Sequence, residues 1–401
     1  MLTRPEARLI WAANPWLYVL LCAFRHAGPL TRVPRVGWVV TDPVLARRVL
    51  NDHAAFTMGG EGGVGHLWAQ LFGPEMGGFF DGPRHAELRT AVRDLFTEDA
   101  ARDLIARTQG PHHARLAADL TNGATIDIAD TARVLAGRMV CDLLGLPAEQ
   151  PADDYRRMFT LGERLASLAL GTTASTDLPA PVLSEARAIV DELTAAVPSA
   201  YRSAAPSGPS GPRSAGPPTL LGRCRMLGLS EDVARGLATL LVVAGTETGV
   251  SGTLRTVALL HDSNQQRLVL DDFEALLPAV VREGLRVATP APLIGRHVAR
   301  DVQLTPRARL RPGQRILVLT HLANNAVGPF DVTRPYVPET RQLWFGAGRH
   351  LCLGAAVARA QVAATLRALL ASGRPYRIEA RLEARRALVP TYKKLLVRTD
   401  T

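Results

Sequence analysis

The chain has 401 residues, 47% of them apolar, which is enough for a large core and, by length alone, for two or three domains. Its net charge of +10 invites a polyanion partner, but every basic residue except Lys393 and Lys394 is arginine, scattered in runs of no more than two. That pattern reads as coding bias rather than a nucleic-acid footprint, and the four distant cysteines, without a CxxC pair, exclude a zinc finger or disulfide framework.

Free cysteines fit a reducing compartment, and no signal-peptide pattern is present, so the expectation is a soluble cytoplasmic protein. The most apolar N-terminal stretch, Pro15 to Phe24, is too short for a spanning helix. A helix is predicted there, from about Trp16, followed by a valine-rich hairpin over Leu30 to Thr41 and a helix opened by Asp42-Pro43. Met58 to Phe80 is glycine-rich and aperiodic, and is predicted to be a mobile loop. Helical periods follow at Pro83 to Phe96, Ala132 to Leu146, Asp153 to Leu170 and Leu183 to Tyr201. Ser203 to Pro218, rich in Ser, Ala, Gly and Pro, is predicted to be a flexible surface loop inside one domain.

Ser230-Glu-Asp caps a long apolar helix running to about Leu260, which should cross the centre of the protein. A helix over Asp272 to Val287, short strands at Leu293 to Val298 and Arg315 to Leu319, and a helix from Ala355 to Ala371 complete the reading. The class is mainly α with a small β part.

The densest signal is Phe345-Gly-Ala-Gly-Arg-His-Leu-Cys352-Leu-Gly354. A heme iron ligated by sulfur needs a thiolate shielded from water, and thiolates are favoured at helix N-termini and near backbone N–H groups. Cys352 lies just before a helix; Gly346, Gly348 and Gly354 permit tight turns against a flat macrocycle, Phe345 can cover the loop, and Arg349 and His350 can reach carboxylates. The plain alternative is a buried structural cysteine.

With this loop, the sequence resembles the cytochrome P450 family, most closely its soluble bacterial, actinobacterial type: Phe345, Gly346, Gly348, His350, Cys352 and Gly354 fill the heme signature. The resemblance covers nearly the whole chain. It implies a single domain over residues 1–401 with about a dozen helices and small sheets. Heme b would sit between the long central helix and the helix after Cys352, with Cys352 as iron ligand.

In the central helix, a carboxylate among apolar residues is costly unless paired or wetted. Glu247 and Thr248 stand beside Gly245, where a helix can widen, and splitting dioxygen requires two delivered protons. The family pattern Ala/Gly-Gly-x-Asp/Glu-Thr is matched by Ala244, Gly245, Glu247 and Thr248. The resemblance implies that Thr248 bonds the oxygen, Glu247 connects it to bulk protons and Ala244 lies over the heme. The bland reading is a kinked helix with a surface-facing glutamate.

Glu283 and Arg286 are three apart on a helix and would by default be a surface pair. The family makes such a pair a buried structural lock, often completed by a later arginine; Arg334 is the candidate, although the segment before it is shorter than the family norm and has Asn325-Ala326-Val327 in place of Arg-Asp-Pro. His85 and Arg89, one helical turn apart, can grip one carboxylate. By resemblance that carboxylate is a heme propionate, with Arg296 and His350 joining.

The expected function is a monooxygenase inserting oxygen into a hydrophobic small molecule, in natural-product biosynthesis. No flavin or iron–sulfur motif is present, so electrons would come from a ferredoxin docking on the arginine-rich side near Cys352, supplied by an NAD(P)H-dependent reductase. A monomer without nucleic-acid or membrane-spanning partners is expected. Peroxide-driven oxidation, oxidative coupling of an aromatic substrate and a non-catalytic heme protein are the alternatives. The pocket walls are expected at Met58 to Phe80, Leu240 to Thr248, Ala288 to Ile294 and Pro390 to Tyr392, apolar except for His66, Trp68 and Glu75.

Overall fold

The central helix, Glu231–Asp262, organises the structure, which is a computed structural model describing residues 4–34, 36–61, 63–147, 149–170, 177–206 and 218–400. Ser230 caps it by accepting from the Val233 amide, and Glu231 and Asp232 complement the positive end. It is apolar on nearly every side because helices surround it: Pro15–Phe24 aside, most others reach it directly or through one neighbour. By length and composition it could cross a membrane, but 67% of its most apolar window is buried inside the protein.

Around it pack Ile128–Leu144, Ala152–Leu170, Phe273–Ala288 and Ala355–Leu369. A five-stranded sheet lies to one side. Its first two strands, Leu30–Val33 and Gly37–Val40, form the expected hairpin (Leu30 opposite Val40). Gly37–Val40 then runs parallel to Arg315–Val318, which pairs antiparallel with Ile294–Val298. The sheet holds Arg296 at a fixed register opposite Ile316.

Four expectations need correction. Met58 to Phe80 is not a loop: Val64–Phe72 and Pro74–Gly77 are helical, because Leu67, Trp68 and Leu71 form an apolar stripe that the core takes up. The flanking glycines, which serve as caps, hid that stripe. Leu183 to Tyr201 is two helices, Ala180–Leu193 and Val197–Ser203, broken before Pro198, whose ring suits a first helical turn and not an interior. Ser203 ends a helix rather than beginning a loop, and 207–217 of the expected surface loop lie outside the described residues. At Gly245 the helix neither widens nor kinks, since regular helix runs through it.

The sequence reading also passed over a 24-residue helix, Glu98–Thr121, because Gly110-Pro111 within it looks like a break. Thr97 caps it and it packs along Ala355–Leu369. A C-terminal hairpin, Tyr376–Glu383 with Tyr392–Thr399, was likewise missed. Its turn is anchored to the central helix by Ser251, whose hydroxyl donates to the Pro390 carbonyl at 2.7 Å.

Candidate active site

Gly346 and Gly348 adopt φ of +80° and +66°, conformations open to glycine at little cost. At Gly348 a Cβ would also lie 2.7 Å from the Leu50 carbonyl oxygen. These turns return the chain so that the Cys352 amide donates to the Phe345 carbonyl at 2.9 Å. Arg359 lies over the Phe345 ring at 5.7 Å.

The Cys352 side chain is exposed by area, yet the protein crowding it makes burial the dominant influence, pushing its pKa up. The Gly354 amide, hydrogen-bonded to the sulfur at the start of Ala355–Leu369, and the charges of Arg89 and Arg359 oppose that rise. Arg89 is committed to this loop and not to a propionate alone, since its guanidinium donates to the Leu351 carbonyl at 2.6 Å.

Ala355–Leu369 crosses the central helix at Gly249, where a Cβ would come within 3.0 Å of Gln361 Oε1. Just before that crossing, among the described residues from Val233 to Leu260, only Ala244 is exposed. Ala244 is thus the open point of an otherwise mostly buried helix, and Cys352 is exposed on its own loop. The Thr248 hydroxyl, one turn on, donates to the Ala244 carbonyl at 2.6 Å.

Nitrogen donors gather beside the cysteine loop. The His85 and His350 rings lie 4.5 Å apart, His85 and Arg296 are buried, and Arg349 donates to the Gly82 carbonyl. Burial first, then the charges of His350, Arg349 and Arg89, lowers His85 to about 4; burial lowers Arg296 to about 10. Asp81 is the carboxylate acting on His85, Arg296 and His350, and its own pKa is lowered although burial, the largest influence, opposes this. Its Oδ2 is already bonded to the Met58 and Gly59 amides, and its Oδ1 stands 3.4 Å from His350 Nε2, which makes no well-aligned hydrogen bond. Such an excess of donors fits a ligand carrying carboxylates.

Glu247 is 3% exposed and its Oε1 has no partner. Burial, reinforced by the negative charge of Glu163, pushes it up to about 8. Glu163, which sequence reasoning missed, sits on Ala152–Leu170, which packs against the central helix near Val242 and Thr246. Burial raises its own pKa and the Arg133 charge opposes the rise. No local motif marks it; only the helix crossing pairs it with Glu247. Between the ordinary carboxylate range and about pH 8 the folded protein keeps a proton on Glu247 that the unfolded chain has released, so stability falls as pH rises through that window. Urea unfolding should show that fall, up to on the order of a few kcal/mol, flattened in Glu247→Gln and reduced in Glu163→Gln. Equal slopes in all three proteins would remove the basis for a protonated Glu247.

Behind the cysteine loop, Arg286 binds Glu283 through two bonds of 2.9 and 2.7 Å, both residues being almost fully buried. Arg334 reaches Glu283 at 3.2 Å and also donates to the carbonyls of Val327 and Pro329. The shortened segment therefore brings its carbonyls to the arginines.

The three polar or aromatic wall residues are engaged elsewhere. His66 Nε2 is 2.8 Å from Asp177, Glu75 faces Arg84 at 4.0 Å, and Trp68 packs in the core beside Phe80.

No family model matches the chain. A stretch of 139 residues, 33% of this chain and 31% of the relative, is 37% identical to cytochrome P450 140 of Mycobacterium tuberculosis, so that match spans about a third of the relative's length. Over 317 residues, 74% of this chain and 73% of the relative, the sequence is 31% identical to the mycinamicin IV hydroxylase/epoxidase of Micromonospora griseorubida. The chain belongs to the cytochrome P450 family. Among solved structures, a mutant of P450 EryK in complex with erythromycin B superposes with a TM-score of 0.76 over 97% of both chains, at 23% identity, and has the same fold. Cytochrome P450s carry heme, and the residues around Cys352 fit it: a thiol, glycine turns and nearby donors for carboxylates.

Proposed function

We propose that the chain is a heme-thiolate monooxygenase that hydroxylates or epoxidises a hydrophobic natural product. The observation that carries this is Cys352 in its glycine-turned loop, its sulfur hydrogen-bonded by the Gly354 amide, with His85, His350 and Arg296 gathered beside Asp81. Heme b held there supplies the activation of dioxygen, one oxygen atom entering the substrate and the other leaving as water for two electrons and two protons.

The chain's residues do the rest. Cys352 would ligate the iron, with Phe345 and Gly346 shaping its loop and Arg89 and the Gly354 amide steadying the sulfur's charge. His85, Arg296 and His350 would hold the propionates. Gly245 lies on the side of the central helix that faces Val140, and Ala244 would leave room above the cofactor. Thr248, whose hydroxyl donates to the Ala244 carbonyl, and Glu247, protonated below about pH 8, would hold and pass protons beside the cofactor.

Electrons would come from a ferredoxin docking on the arginine-bearing side of the cysteine loop and an NAD(P)H-dependent reductase, in the cytoplasm. The mycinamicin relative and the erythromycin B complex support a natural-product substrate. With a surrogate ferredoxin and reductase, a substrate found by displacement of the iron-bound water should be oxidised. In Thr248→Ala, product formed per NAD(P)H should fall by about tenfold to a hundredfold while NAD(P)H consumption continues. Unchanged coupling in that variant would reject Thr248 as proton donor.

A further inference from the structure

The helix Pro15–Phe24 has no role in the site. Its inner face buries Leu17 and Leu21 against Ile10. Its outer face consists of Pro15, Trp16, Val19, Cys22 and Ala23, all exposed, at helical spacing and without one polar side chain. Trp16 is 83% and Val19 49% exposed, and Trp11, 51% exposed, stands against Tyr18 at their edge. A continuous apolar face of this kind marks a contact surface.

Its rim is basic. Arg4 and Arg8 line the outer face of the preceding helix, Arg4–Ala13, together with Trp11, and Arg25 and His26 follow the second helix. Glu6 is the one acid in residues 4–29, and it is buried on Arg255 of the central helix. The turn carrying exposed Arg385 and Arg386 adjoins these helices through the bond from the Arg386 amide to the Ala12 carbonyl, 3.4 Å. The nearest carboxylate, Glu383, is 4.0 Å from Arg8 and mostly covered.

We propose that these two helices dock the enzyme on an anionic lipid surface. Ten apolar residues cannot span a bilayer but can lie in its interface, with indole rings at headgroup level and arginines toward phosphates. The face is the outer side of a helix. A second copy brought up across it by a two-fold axis would set one basic rim against another. A hydrophobic substrate dissolved in the bilayer would then be near at hand.

The test uses the heme-loaded full-length protein sedimented with vesicles of phosphatidylcholine, alone or with about one third phosphatidylglycerol. Binding is expected to the mixed vesicles, weakly to the pure ones, and to be released by high salt. Arg25→Gln should weaken it about fivefold. Trp16→Ser with Val19→Ser should weaken it by about an order of magnitude or more, with circular dichroism and heme spectrum unchanged. The proposal is overturned if the wild type stays in solution with both vesicles, or if the double variant sediments as well as it does. A concentration-dependent dimer that Trp16→Ser abolishes would overturn it in favour of self-association. None of these outcomes depends on the monooxygenase reading, which the Thr248→Ala coupling test addresses separately.

Discussion

Cys352→Ala should lose the strongly red-shifted Soret band of the reduced, carbon monoxide-bound protein, and turnover should fall by several orders of magnitude to background. No other thiol can take its place. Cys141 and Cys224 are fully buried in packed helices, with burial pushing both up to about 12, and Cys22 lies on the outer face of the N-terminal helix. The loop itself should survive, because its turns depend on Gly346 and Gly348 and on the backbone bond from residue 352 to Phe345, none of which involves sulfur. Measuring heme content alongside the spectrum separates loss of the ligand from loss of the cofactor. A variant that kept the red-shifted band would sink the assignment of Cys352.

The second large effect is expected at Glu283, through stability. Its carboxylate accepts two bonds from Arg286, one from Arg334 and one from the Asp331 amide at 3.3 Å. Removing it leaves Arg286, 2% exposed, without a counter-ion, and removal of one partner of a buried pair costs about 3–5 kcal/mol. Arg286 also holds the Asn324, Gly328 and Pro329 carbonyls, so the damage should spread into the segment leading to the cysteine loop. Glu283→Ala should unfold at markedly lower urea concentration and retain little heme. Glu283→Gln, which keeps the shape and one acceptor, should fall between. A loss under about 1 kcal/mol in Glu283→Ala would mean the pair is no more than a surface contact.

The cysteine loop was legible because its chemistry is local. Three glycines, an aromatic and a cysteine within ten residues carry both the turns and the ligand, and each requirement acts on its own stretch of backbone. The cap at Ser230 and the hairpin at Leu30 are legible for the same reason. The glycine-flanked helix Val64–Phe72 was not, because its stripe of Leu67, Trp68 and Leu71 is stabilised only by a core supplied from elsewhere. Nor was the helix through Pro111, whose missing bond is outweighed by packing along Ala355–Leu369.

By itself the sequence determined the family, the cysteine loop and the acid–alcohol pair on one helix, since these rest on residue type and near spacing. Only the tertiary structure decided what surrounds them. Arg334 reaches Glu283 because the short segment folds its carbonyls inward, and Arg296 on its strand, His85 on the helix Pro83–Val92 and His350 in the cysteine loop converge from three separate elements. Glu163 bears on Glu247 because two helices pack together, and Trp16 stands in the open because none of the described residues covers that face. Each of these depends on distances between elements far apart in the chain, and packing sets such distances where local pattern does not.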